Sequence, residues 1–153
     1  MPIDDFGEVP GVSITILVDN RADLIVKSTE TVRYWTDAPL LAEHGFAALV
    51  VLGSTGSRIL WDTGATSDVL LHNARLMGID VSSVDAIVLS HGHSDHTGAV
   101  TSVLQTMGQL RESRDWSADL DLTEVDAWAA QRRVPLIAHP AAFREGWFQR
   151  KDG

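Results

Sequence analysis

The sequence contains no cysteine, so disulfide bonds, thiolate metal ligands and cysteine nucleophiles are all excluded. Basic residues are also scarce, with 12 Lys and Arg against 21 Asp and Glu and a formal charge of −9. Binding to nucleic-acid phosphates or to an anionic membrane surface needs a basic patch, so this composition argues against both kinds of partner. Apolar runs are short, and none approaches the roughly 20 residues of a membrane helix.

The start of the chain lacks the charge pattern of an export signal. Residues 1–10 carry three acidic side chains and no Lys or Arg, whereas a secretory signal begins with basic residues. We therefore expect a cytoplasmic protein. The length of 153 residues and the hydrophobic content of 44% are ordinary for a globular protein and predict a single domain over residues 1–153.

Apolar segments rich in β-branched residues alternate with helical patterns along the chain. Strands are predicted at residues 12–18, 46–52, 58–61, 84–89 and 134–138, and helices at about 66–77, 97–107 and 122–132. The short glycine-containing connection at 53–56 predicts a hairpin between the second and third strands. A hairpin followed by β-α-β repeats predicts an α/β fold in which helices cover a mixed sheet. Trp35 and Trp61 are expected in its core.

One stretch concentrates the residues that can carry chemistry. Residues 90–98 read Ser-His-Gly-His-Ser-Asp-His-Thr-Gly and lie between a predicted strand and a predicted helix. His91 and His93 are two positions apart, so in an extended backbone both imidazoles point toward one cation. Asp95 and His96 turn the other way and can reach a neighbouring cation. One loop can thus build a two-metal site with ions about 3.5–4 Å apart, and these donors suit zinc, iron or manganese.

The simpler alternative for this stretch is a polar helix-capping loop with Asp95 as the N-cap. Half of the chain's six histidines nevertheless fall within this loop, directly behind an apolar strand. Burying such a cluster without a ligand would be costly. A capping role for Asp95 is also compatible with metal binding, because one carboxylate oxygen can cap while the other binds.

Residues 91–96 resemble the HxHxDH motif of the metallo-β-lactamase superfamily. The turn Asp62-Thr63-Gly64, the helix after it and the strand that ends at Ser90 are similar too, and the resemblance extends over about residues 12–144. It implies αββα layers, of which this chain holds the N-terminal half with a mixed sheet and flanking helices. It also implies that Asp62 lies beside the metal site and supports it by hydrogen bonds. A simple turn-forming aspartate is the alternative.

Three shorter segments resemble one branch of this superfamily. Residues 16–20, 44–46 and 138–140 are similar to the branch that includes the dihydropterin-type synthases of methanopterin assembly, whose members are often described only as metal-dependent hydrolases. That resemblance places Asn20 near the site, although an asparagine that ends a strand in a turn is an equally good interpretation.

The fold of this superfamily normally has two βα halves that face each other across the metal ions. This chain resembles the first half and the strand after it, so we expect an incomplete domain. His139 is the best candidate for a further metal ligand, because it follows a predicted strand as His91 does, and parallel strands end at one edge of a sheet. The alternative is a half-exposed histidine fixed by Pro140. We expect His72 to be structural or exposed. His44 precedes Gly45 and a predicted strand; we expect a loop residue there, and the alternative is that it lines the mouth of the pocket.

The resemblance implies a metal-dependent hydrolase of a small-molecule substrate, with two divalent ions, zinc before iron or manganese. A water activated by the ions would attack an ester, lactone, amide or phosphoester, with Asp95 as the catalytic residue that orients it. The alternative is a catalytically incomplete fragment, a metal-binding half that needs a second copy or a complementary chain. A redox di-iron site is disfavoured, since redox members typically carry Glu where this chain has His93.

Overall fold

A computed structural model describes residues 8–23, 27–32, 34–35, 37–108, 123, 126–127, 130 and 133–144. The strands are β1 (Val12–Val18), β2 (Ala47–Leu52), β3 (Arg58–Trp61), β4 (Ala86–Leu89) and β5 (Leu136–Ala138). The α-helices are α1 (Ser67–Leu76), α2 (Ser94–Thr97) and α3 (Val100–Thr106), with 3-10 turns at Val81–Ser83 and Pro140–Phe143. No helix in these ranges is long and apolar enough to cross a membrane.

The five strands form one mixed sheet in the order β1-β2-β3-β4-β5. The β1–β2 and β2–β3 pairs are antiparallel, which confirms the predicted hairpin. The β3–β4 and β4–β5 pairs are parallel. The predicted fold class, an α/β fold with helices on a mixed sheet, is therefore confirmed. The carboxyl ends of β3, β4 and β5 lie at one edge of the sheet, which is where the candidate site is found.

Helix α1 begins and ends where its sequence signals predict. The Thr66 hydroxyl accepts a hydrogen bond from the amide of Val69 at 3.3 Å and caps the first turn. Gly78 follows the helix with a φ of +67°, the left-handed conformation that glycine adopts without strain. Asn73, on the buried face, donates to the carbonyls of Leu17 and Leu41 and so ties the helix to β1 and to the segment before β2.

The two faces of the sheet differ in what covers them. One face packs under α1 and α3, where the core comprises Leu17, Leu49, Leu60, Leu70, Ile87, Leu89 and Val103. The opposite face is apolar but solvent-accessible in the described part of the chain, with Ile14 61%, Trp61 45% and Ile137 54% exposed. The expectation that Trp61 lies in the core is thus wrong. Side chains alternate along a strand, so Trp61 points away from the face that Leu60 buries.

The predicted helix over residues 97–107 is wrong in its start and its continuity. Helix α2 already begins at Ser94, and the helical conformation is interrupted at Gly98, before α3 begins. The Gly98 amide donates to the Gly64 carbonyl at 2.9 Å, and a Cβ at Gly98 would meet the Ala65 carbonyl oxygen. The break therefore lets the turn after β3 pack directly on the motif. Strands β4 and β5 are shorter than predicted, and most of the predicted helix 122–132 lies outside the described residues.

Candidate metal centre

The candidate site lies at the carboxyl edge of the parallel strands. Trp61 of β3 pairs with Val88 of β4, so Asp62, directly after β3, lies beside Ser90, directly after β4. Leu89 pairs with Ala138 in the same way, which places His139 at this edge too. The parallel arrangement on which the sequence-based interpretation of His139 depended is therefore confirmed.

Asp62 is the buried centre of the site, with 1% of its surface exposed. Its φ of +56° lies in the left-handed region, which aspartate and asparagine adopt more readily than most residues. One carboxylate oxygen, Oδ1, accepts the Ser90 amide at 2.7 Å. The other, Oδ2, accepts the Ser90 hydroxyl at 2.6 Å and His96 Nδ1 at 2.8 Å. These bonds satisfy the buried charge and tie the turn after β3 to the motif.

The hydrogen bonds around Asp62 determine where two histidine rings carry their protons. An ionised carboxylate only accepts, so His96 donates from Nδ1, and in the neutral ring its Nε2 then carries a free lone pair. The single hydroxyl hydrogen of Ser90 is given to Asp62. The 2.9 Å contact between Ser90 Oγ and His91 Nδ1 is therefore a bond that His91 donates. Both rings present an unprotonated Nε2, the form in which imidazole binds a metal.

The histidines of the motif lie side by side. The ring centroids of His91 and His93 are 4.6 Å apart, and those of His91 and His96 are 4.2 Å apart. His93, the N-cap of α2, is solvent-exposed and makes no side-chain capping bond. Asp95 lies in the first turn of α2, so the interpretation of Asp95 as its N-cap is wrong.

The donor set fits a divalent metal ion in its chemistry. It consists of neutral imidazoles and a carboxylate, and two of the rings are held with Nε2 free. In the part of the chain that the structure describes, however, no three such side chains are already placed to hold one ion. A coordination sphere built from these residues therefore requires side-chain rotation, for which the exposed His93 ring has room.

The carboxylate of Asp95 faces two histidines. Its Oδ2 lies 3.3 Å from His44 Nε2 and 3.6 Å from His96 Nε2. The other ring nitrogen of His44, Nδ1, is 3.2 Å from Asn20 Oδ1. His44 is thus a loop residue, as expected, but it also faces the motif, and Asn20 lies beside it as the resemblance implied. The glycine after His44 is the sequence signal that could have indicated a close approach to the motif.

His139 is near the site but is used differently. It is the N-cap of the Pro140–Phe143 turn, and its Nδ1 accepts the Ala141 amide at 3.2 Å. A neutral ring that accepts at Nδ1 carries its proton on Nε2, so the ring offers no lone pair for a metal. This turn packs against the motif loop, since a Cβ at Gly92 would meet the Ala142 carbonyl oxygen. His72 lies on α1, with Nε2 3.5 Å from the Pro39 carbonyl oxygen.

The role of the Ser90 hydroxyl can be tested by its removal. In Ser90→Ala, His91 Nδ1 loses its acceptor, so we expect zinc affinity to fall roughly 10–100-fold, as is typical when the partner of a metal-binding histidine is lost. Ser90→Thr keeps the hydroxyl and should bind zinc like the wild type. Zinc titration against a chromophoric chelator measures the affinity, and imidazole 15N shifts report the His91 tautomer. An unchanged tautomer and affinity in Ser90→Ala would show that Ser90 does not orient His91.

Comparison with known proteins shows which family this site resembles. The metallo-beta-lactamase superfamily profile matches residues 42–108, which include Asp62 and the whole motif. In Methanocaldococcus jannaschii, a 7,8-dihydropterin-6-methyl-4-(beta-D-ribofuranosyl)-aminobenzene-5'-phosphate synthase is 28% identical over 110 residues, 71% of this chain and 30% of that protein. An uncharacterized protein of the same organism is 42% identical over 92 residues, 60% of this chain and 29% of that protein. The chain thus spans less than a third of the length of these relatives.

Solved structures give partial matches. The structure of Tm1679, described as a metal-dependent hydrolase of the beta-lactamase superfamily, is 36% identical and covers 56% of this chain and 24% of its own, with a TM-score of 0.38. A diphosphatase from the PhnP family is 21% identical and covers 86% of this chain and 43% of its own, with a TM-score of 0.47. The expected similarity to a dihydropterin-type synthase is confirmed. The profile match over residues 42–108 and the motif confirm the expected resemblance of this chain to the metallo-beta-lactamase superfamily.

Proposed function

We propose that this chain is a metal-dependent hydrolase of the two-metal type, which acts on a small-molecule ester, lactone, amide or phosphoester at the carboxyl edge of its sheet. The observation that carries the proposal is the Asp62 carboxylate, which accepts the Ser90 hydroxyl and His96 Nδ1 and so leaves Nε2 free on two neighbouring rings. The similarity to a protein described as a metal-dependent hydrolase supports it.

The motif residues divide into two sets of ligands. His91 and His93 would hold one ion, called here the first ion, and Asp95 and His96 would hold the second. Zinc suits this nitrogen and oxygen set best, and iron or manganese are alternatives. His139 could join them only after its Nδ1 releases the Ala141 amide. When bound, two such ions supply a water of near-neutral pKa and polarise the bond to be cleaved.

The chain's own residues would position the reactants. Asp62 and Ser90 hold the rings of His96 and His91 in one tautomer, so these rings need not reorganise during the reaction. The Asp95 carboxylate is 22% exposed on the open side of the site. There it can accept a hydrogen bond from the attacking water and direct the water's lone pair at the substrate. In Asp95→Asn one oxygen becomes a donor, and the alignment of that water is lost.

Metal stoichiometry tests this function directly. We expect elemental analysis of the purified chain to give about two ions, and Asp95→Ala to lose one of them. Asp68→Ala is the control, because Asp68 lies in the first turn of α1 as Asp95 lies in the first turn of α2, but is exposed and away from the motif. The proposal is wrong if the wild type holds well below one ion, or if Asp95→Ala keeps both.

The second candidate function is a metal-binding half that is complete only with a second copy of the chain. The observation that favours it is an apolar sheet face that the described residues leave exposed, to which Ile14, Trp61 and Ile137 belong. A contiguous apolar patch that is exposed to solvent can mark an interface with another chain. Sedimentation of the metal-loaded chain tests it, since a monomer that holds two ions and turns over substrate would exclude this alternative.

A further inference from the structure

Two histidine nitrogens approach one carboxylate oxygen of the site. Asp95 Oδ2 lies 3.3 Å from His44 Nε2 and 3.6 Å from His96 Nε2. His44 lies just before β2 and His96 lies in α2, yet both rings approach the same carboxylate oxygen. Whether this is an ordinary ion pair or a cation site depends on where the hydrogens are.

The proton of His44 is located by its other neighbour. His44 Nδ1 is 3.2 Å from Asn20 Oδ1, and an amide oxygen only accepts, so Nδ1 donates. In the neutral ring this leaves a lone pair on Nε2, directed at Asp95. The arrangement repeats that of His96, whose Nδ1 donates to Asp62 and whose Nε2 also faces Asp95. Asn20 thus does for His44 what Asp62 does for His96.

When both rings are neutral, their Nε2 lone pairs and the Asp95 carboxylate oxygen therefore meet with no hydrogen between them. Such an arrangement is repulsive unless a positive charge is shared among the three atoms. The charge can be a proton on His44 Nε2, which gives a simple ion pair, or a metal ion that all three atoms bind. Imidazole nitrogen and carboxylate oxygen are donors that zinc accepts together.

The backbone holds His44 at this place. The next residue, Gly45, is buried with a φ of +147°, and a Cβ there would meet the Asp95 carbonyl oxygen. The amide of Phe46 donates to that same carbonyl at 3.3 Å. The His44 side chain itself is 85% exposed. Its main chain is thus fixed against the motif, while its ring is held only by Asn20 and Asp95 and has solvent around it. The coordination sphere itself is not assembled among the described residues.

We propose that His44 is a ligand of the second metal ion, together with Asp95 and His96, and that Asn20 orients the His44 ring for this purpose. The proposal rests on the proposed function, because it requires the motif to bind two ions. It adds a ligand that lies outside the HxHxDH motif but within this same chain. The second ion would then have three protein ligands from two separate segments, with further positions left for water or substrate.

A zinc titration of the full chain tests this proposal. Competition with a chromophoric chelator gives the affinity of each of the two steps in the wild type, in His44→Ala and in the control His72→Ala. We expect His44→Ala to weaken the second step by at least the roughly 10–100-fold typical of lost support at a metal site, and to leave the first step unchanged. His72→Ala should match the wild type, since His72 contacts only the Pro39 carbonyl among the bonds described for it.

Imidazole 15N shifts give a second readout that does not depend on turnover. On addition of the second equivalent of zinc, His44 Nε2 should move to the metal-bound range while Nδ1 keeps its proton. Asn20→Ala removes the partner of Nδ1 but not the ligand, so its second step should weaken less than that of His44→Ala. Asn20→Asp retains an acceptor for His44 Nδ1, so its second zinc-binding step should be stronger than that of Asn20→Ala.

The outcomes separate this inference from the proposed function. If His44→Ala binds both ions with wild-type affinity, His44 is no ligand, and the two-metal function stands. If His44→Ala weakens both steps equally, His44 supports the loop and does not bind the second ion. If the wild type binds no zinc, both proposals are wrong. Loss of the second step alone, with the 15N shift at His44, supports the assignment.

Discussion

Asp62→Ala is expected to lower the free energy of unfolding by about 3–5 kcal/mol, because three hydrogen-bond donors lose a buried acceptor at a cost of about 1–3 kcal/mol each. The Asp62 carboxylate is 1% exposed and accepts three hydrogen bonds, from the Ser90 amide, the Ser90 hydroxyl and His96 Nδ1. Alanine leaves all three donors without their acceptor and also strains the backbone at a φ of +56°. Urea unfolding of the metal-free chain measures the loss.

Asp62→Asn separates the charge of this residue from its shape. Asparagine tolerates the left-handed backbone, and its Oδ1 can still accept the Ser90 amide. Its Nδ2 would face the His96 Nδ1 hydrogen, so His96 must move its proton to Nε2 and lose the metal-binding lone pair. We expect a smaller loss of stability than in Asp62→Ala, but zinc affinity lower by roughly 10–100-fold. Wild-type zinc affinity in Asp62→Asn would contradict the proposed orientation of His96.

Gly45→Ala is the second change with a large expected effect. A methyl group at this position would meet the Asp95 carbonyl oxygen, and the φ of +147° is unfavourable for any residue with a side chain. Overpacking and backbone strain together predict a loss of about 2–4 kcal/mol in the free energy of unfolding. The Gly45 segment would also separate from the motif, so the second zinc step should weaken with it.

Gly56→Ala is the control that isolates backbone strain from packing. Gly56 has a φ of +71°, and a Cβ there has nothing within 4 Å. It should therefore lose only about 1 kcal/mol and keep both zinc steps. Equal losses of stability in Gly45→Ala and Gly56→Ala would show that contact with Asp95 is not what requires glycine at position 45.

Local signals in the sequence were sufficient to predict the elements whose bounds depend on residues close along the chain. The hairpin follows from apolar segments around a short glycine turn, and the ends of α1 follow from Thr66 and Gly78. The break between α2 and α3 was missed, because glycine alone does not end a helix at a given residue. The break depends on Gly98 packing against Gly64 and Ala65, which are more than thirty residues earlier in the chain.

The prediction that Trp61 is buried was wrong for a different reason. The large apolar side chain of Trp61 predicted a core position. Alternation along β3 instead assigns Leu60 to the helix-covered face and Trp61 to the opposite, exposed face. Both faces of this sheet carry apolar side chains, so hydrophobicity does not reveal which face α1 and α3 cover. That choice depends on how the crossovers run in space.

For the site, the sequence determined the donor types and their spacing, because the motif residues are close along the chain. Only the tertiary structure decided which nitrogen of each ring is free, since Asp62, Ser90 and Asn20 reach these rings through the folding of separate strands. It also brought His44 to Asp95, through the packing of Gly45 against a carbonyl fifty residues further along. Proton positions and long-range contacts depend on atoms that the chain brings together only by folding, and no local pattern encodes them.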